Sequence, residues 1–228
     1  MSSGPVGIND GDYAVARKMT NDLTPEQVAD MLESTRLSVS FTQMLPFVRQ
    51  TFIRLCLLFG LVYLEDGNDP HRQRHPERAR AVIITLQIIM RNLLEFCNQC
   101  IWFPAESTEG VLNDIKQEGI ESLIIRILRT DGNAFGCNQQ ESRLEFDLLR
   151  NLALEILLTL TSLRKQGEGL RPVVTQLLIN AGAIGGVIEV LSAPDTNEIR
   201  KCMCKKILEN IALMFPTEVS QELEERKL

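Results

Sequence analysis

Cys97-x-x-Cys100 and Cys202-x-Cys204 are the residues whose types and spacing come nearest to chemistry. Two close thiol pairs are what a structural four-thiolate zinc site needs. Both pairs, however, fall within apolar, helix-like stretches that lack the Gly and Pro of a metal-binding knuckle. The preferred reading is that these cysteines, with Cys56, are small hydrophobes in a core, as suits a chain kept in a reducing, intracellular compartment. His71 and His75 are the only histidines. They have ligand spacing only if helical, and Pro70 and Pro76 bracket them into a loop. No GxxxxGK phosphate loop is present, and Gly182-Ala183-Ile184-Gly185-Gly186 opens a helix rather than following a strand. No catalytic constellation, metal or cofactor is expected, and the chain is read as a non-enzyme.

The same loop offers a different chemistry. Arg72, Arg74, Arg78 and Arg80 stand among residues 71–80 against a single acid, Glu77. The ordinary reading is a solvated loop. The functional alternative is docking of an acidic partner, a phosphosite or an RNA backbone, to which forked guanidinium groups are suited. A net charge of −6 and a pI near 5.1 argue against a protein devoted to coating a polyanion, so nucleic acid ranks second to a protein partner.

These residues must be positioned by helices. Aromatics make up only 5% of the 228 residues, whereas Leu and Ile abound, which favours helix-on-helix packing and an all-α fold. The N-terminus has no basic-then-apolar leader. The greasiest run, Leu55–Leu64, falls well short of the roughly 20 residues that span a bilayer. A soluble, cytoplasmic chain with no membrane partner is expected, with nuclear, cytoskeletal or ciliary association left open.

In chain order, residues 1–22 read as a flexible tail and the folded domain as 23–215. Thr24-Pro25-Glu26-Gln27 is a capping box with Pro at the first helical position, and Leu23 with Val28 supplies a hydrophobic staple. A helix from Pro25 to about Glu33 follows, then a second over Leu37–Leu45. Pro46 opens an interior helix over Phe47–Glu65, apolar around most of its circumference. Asp66-Gly67-Asn68-Asp69-Pro70 stops it, and Pro76 starts a helix to about Cys100. A short helix is expected over Thr108–Glu118. The stretch 216–228 reads as a charged C-terminal tail.

The run from Leu177 to Leu213 has the clearest punctuation. Ala181-Gly182 closes one helix, Ile184, Val187, Ile188 and Leu191 stripe the next, and Ser192-Ala193-Pro194-Asp195 breaks the chain. A longer helix then starts, capped by Asp195 or Thr196, with Ile199, Met203, Ile207, Leu208 and Ile211 turned inward. Ile120, Leu123, Ile124 and Ile127 repeat the first stripe position for position. Ala153, Leu157 and Thr159 align with Cys204, Leu208 and Asn210 once the loop 130–140 is treated as an insertion.

Gly182-Ala183-Ile184, Val190-Leu191-Ser192 and Asn210-Ile211-Ala212 resemble the start, second helix and third-helix end of an armadillo repeat. The resemblance implies a short right-handed α-solenoid, with a degenerate repeat over 24–103 and clear ones over 108–165 and 170–214. It also implies a partner groove along the third helices, lined by Arg91, Asn92, Glu155, Thr159, Lys206 and Asn210. The Trp that nuclear-import receptors of this superfamily place four residues before each Asn is Ile88, Glu155 or Lys206 here. That departure argues against import-cargo binding, and the implied role is a protein-interaction scaffold or assembly subunit.

Overall fold

Pro25, Pro46, Pro76 and Pro216 each open a helix, where a missing N–H costs nothing and a fixed φ is already helical. The computed structural model describes residues 10–38, 46–67, 76–102, 120–130, 140–162 and 171–226. Among them are ten helices and no strand: α1 (Asp10–Asp22), α2 (Pro25–Ser38), α3 (Pro46–Gly67), α4 (Pro76–Trp102), α5 (Ile120–Arg129), α6 (Gln140–Thr161), α7 (Arg171–Asn180), α8 (Ala183–Ser192), α9 (Glu198–Ala212) and α10 (Pro216–Glu225). The all-α class is thus observed.

Local chemistry fixes the helix ends. The Thr24 amide donates to Gln27 Oε1 at 2.8 Å and the Gln27 amide to Thr24 Oγ1 at 3.3 Å, the reciprocal bonds of a capping box. Gly182 takes a left-handed φ of 88° between α7 and α8, a conformation that favours a residue without Cβ. At α9 the cap is Asn197, whose Oδ1 accepts from the Arg200 amide at 2.9 Å, rather than Asp195 or Thr196. Thr196 is occupied otherwise: its hydroxyl donates to the Val190 carbonyl and ties the break to the end of α8.

The helices pack in two rows. One runs α2–α4–α6–α9 and the other α1–α3–α5–α8, with cross-row packing of α3 on α4, α5 on α6 and α8 on α9. Helix α7 bridges α6 and α8, and α10 closes the end against α8 and α9. One continuous apolar core, from Val28 to Val219, lies between the rows. Helix α3 supplies much of it, including Phe52, Cys56, Phe59, Leu61 and Leu64. Gly60 lets α5 approach, since a Cβ there would sit 2.8 Å from Leu123 Cδ2. The stretch Arg78–Asn98 is apolar and long enough to cross a membrane by composition, yet Val82, Ile83, Leu86, Ile89, Met90 and Leu93 spend that apolarity on the core.

Several expectations change. Within the expected flexible tail, residues 10–22 form helix α1, and within the charged tail 216–228 lies helix α10. Each holds a small apolar anchor, Ala16 on Leu58 and Val62 in α1 and Val219 in α10, with ion pairs around it. Helix α2 runs on through Leu37 and Ser38 instead of stopping near Glu33, and 39–45 lie outside the described residues. The stretch 24–103 holds α2, α3 and α4, and α2 extends the row of α4. The expected helix over Thr108–Glu118 also lies outside the described residues.

Candidate functional site

Helix α6 shows how the α2–α4–α6–α9 row is held and what it leaves open. Toward α4, the buried Gln87 amide donates at 2.8 Å to both the carbonyl and the side chain of Glu145, and Arg80 pairs with Glu145 at 3.7 Å. Further along, the Thr159 hydroxyl donates to Asn98 Oδ1 at 3.4 Å. Toward α9, Arg200 pairs with Asp147 at 2.9 Å and donates from Nε to Asn151 Oδ1 at 2.8 Å. Between these seams α6 exposes a narrow stripe, Leu144, Leu148 and Glu155, at the helical spacing i, i+4, i+11.

The neighbouring helices continue this face. On α4, Ile84 and Arg91 are exposed beside the seam to α6; on α9, Ile199, Cys202 and Lys206 are exposed beside Arg200. Leu144 is 63% exposed and Ile199 71%, so large apolar groups stand in water here. Neither Arg91 nor Glu155 has an ion-pair partner among the described residues, and Lys206 pairs only with its own helix, at Glu209 (3.0 Å).

Of the residues expected to line a groove, Arg91, Glu155 and Lys206 lie on this face and Thr159 is half-buried at its edge. Asn92 and Asn210 do not: they are 2% and 5% exposed. Asn92 shares its stripe with Thr85, which donates to the Pro25 carbonyl of α2, so that stripe turns to the end of the row. Its Nδ2 makes no hydrogen bond. The inward set expected for α9 is corrected at its first turn. Ile199 points outward and Arg200, 4% exposed, takes the inward place, while Ile207 and Ile211 are buried as expected. The sequence signal for Arg200 is its pairing partner, an Asp-x-x-x-Asn on one face of α6.

Among the cysteines, Cys97 and Cys204 are buried, and burial pushes their thiols up to about 12 and about 11; Cys202 is exposed. A thiol held so far above neutral pH is a poor nucleophile and a poor metal ligand. The side chain of Cys100 lies outside the described residues, as do His71, His75, Arg72, Arg74 and Cys137. Among the described residues no three His, Cys, Asp or Glu side chains are grouped to hold a metal ion. Arg78 and Arg80 are exposed at the start of α4, and Arg80 is engaged by Glu145.

A second cluster, unforeseen in the sequence, runs along the α1–α3–α5–α8 row. Glu65 at the end of α3 accepts from the Tyr13 hydroxyl and pairs with Arg17 of α1 at 3.4 Å and Arg126 of α5 at 3.7 Å. Asp12 of α1 pairs with Arg54 of α3. At the other end, Glu189 of α8 pairs with Arg129 of α5 at 3.9 Å and with Arg226, beyond α10, at 3.0 Å. Arg226 also holds Glu222 at 2.9 Å. These exposed pairs fasten the terminal helices.

No family model, curated protein or solved structure matches the chain.

Proposed function

We propose that this chain is a non-enzymatic interaction scaffold, a short right-handed α-solenoid of armadillo-like repeats that holds a segment of a partner protein on the open face of α4, α6 and α9. The observation that carries the reading is the chemistry of that face: large apolar side chains uncovered beside opposite charges, of which Arg91 and Glu155 have no ion-pair partner among the described residues. Surface chemistry of this kind is more use to a ligand than to the fold. The repeat supports the architecture, since α5 and α8 carry the same apolar stripe and pack on one another. Buried thiols on α3, α4 and α9 suit a reducing intracellular compartment.

Cross-linking mass spectrometry on the native complex tests this. Cross-links from the dominant partner should map to Lys201, Lys205 and Lys206 of α9. A partner cross-linked only through α1, α5 or α10 removes this face from the reading. Steeply salt-dependent RNA binding that is lost in Arg78→Glu and Arg80→Glu would instead make the arginines of 71–80 the site.

A further inference from the structure

The open face has a periodicity that specifies its occupant. On all three helices an exposed apolar residue is followed seven positions later by an exposed charge: Ile84 and Arg91 on α4, Leu148 and Glu155 on α6, Ile199 and Lys206 on α9. Seven residues of helix rise about 10 Å, so the face carries two parallel rows, one apolar and one charged, separated by about one helix diameter. Across the rows, packed helices stand roughly 8–10 Å apart. A helix laid crosswise repeats its own stripe every seven residues, again about 10 Å. An extended strand, only about 5 Å wide, covers one row and leaves the other in water.

We propose that this face seats an amphipathic helix of the partner, with apolar residues at every seventh position on one stripe and an acid–base–acid order on the adjoining stripe. The charged row reads Arg91, Glu155, Lys206, and the complementary order is acid, base, acid. The proposal rests on the partner-binding reading and adds the chemistry of the segment. Apolar burial supplies the affinity; the charge order supplies register and excludes helices with the inverse pattern.

The probe is a synthetic helical peptide of about 18 residues, long enough to cross three helices, with Leu on one stripe and Glu, Lys and Glu seven apart on the next. A second peptide of matched length carries Lys, Glu and Lys instead. In fluorescence anisotropy with the full chain at low salt, the first should bind at least about tenfold tighter than the second. The triple variant Arg91→Glu, Glu155→Lys, Lys206→Glu should reverse the preference. Ile199→Asp should weaken both, and since Ile199 is exposed, its melting curve should match the parent's. Equal binding, absent binding, or an unreversed preference overturns the proposal. If native cross-links still fall on Lys201, Lys205 and Lys206 after such a failure, the partner-binding reading stands without the helix. If they do not, both are lost.

Discussion

Arg200 is the most consequential single side chain. It is a buried cation held by Asp147 and Asn151 across the α6–α9 seam, and the two ends of such a pair are unequal. Asp147→Ala leaves a buried guanidinium with one neutral partner and should cost about 3 kcal/mol, whereas Arg200→Met leaves a carboxylate that water can reach and should cost about 1 kcal/mol. Urea denaturation of the two variants distinguishes them; equal losses would mean the pair is solvated. Glu121, in the first turn of α5, is the acidic counterpart. Its Oε2 is buried without a hydrogen bond among the described residues, and that burial raises its pKa above the ordinary carboxylate value. A raised carboxylate pKa favours the fold while the group is protonated, and the benefit is lost as pH rises through the folded value. Glu121→Gln should therefore be more stable than the parent at pH 7, with the gap closing in acid. Thiol reactivity offers a third check: iodoacetamide near neutral pH should label Cys202 well before Cys97 or Cys204, whose thiols are held up by burial.

Among the elements, α6 and α9 each bury a small residue completely in the core, Ala153 and Cys204. Ala153→Phe should overpack this layer and cost about 1–3 kcal/mol, read as a lowered melting temperature. How far each helix was legible in the sequence follows from where its stability originates. Helices α5 and α8 bury apolar faces that write their own periodicity, and α3 is a long apolar run opened by Pro46, so their positions could be read directly. Helix α1 fully buries only Ala16 and Thr20, with Tyr13 and Met19 packed part-buried on the core and ion pairs to α3 around them; so sparse an apolar pattern does not distinguish it from a solvated tail. The same holds for α10, whose apolar anchors are Val219 and the part-buried Leu223. At α9 the apolar count favoured Ile199 inward because a buried Arg carries no periodic signal until its partners on α6 are known. The exposed face was legible only in part for the same reason: charges at Arg91, Glu155 and Lys206 stand out, whereas Leu144, Leu148 and Ile199 look like core until the packing shows them in water.

At the scale of the molecule, the core is continuous but each helix packs mainly on its neighbours within and across the two rows, so protection from hydrogen exchange should be graded. Amides of α3 to α6 should exchange slowest, and those of α1 and α10 should exchange first, faster still at high salt, which screens the exposed pairs at Glu65 and Glu189. Uniform protection would mean that the ends are as strongly held as the middle.

Glu65 and Glu189 each answer to arginines from two other helices or helix ends, and in that arrangement lies a rule for shortening the chain. Cutting at residue 23 would strip Arg17 and Tyr13 from Glu65, remove Asp12 from Arg54 and uncover Leu58 and Val62. Cutting at 215 would strip Arg226 from Glu189. A shortened chain therefore has to keep both α1 and α10, because the terminal helices are the clasps at the two ends of the second row.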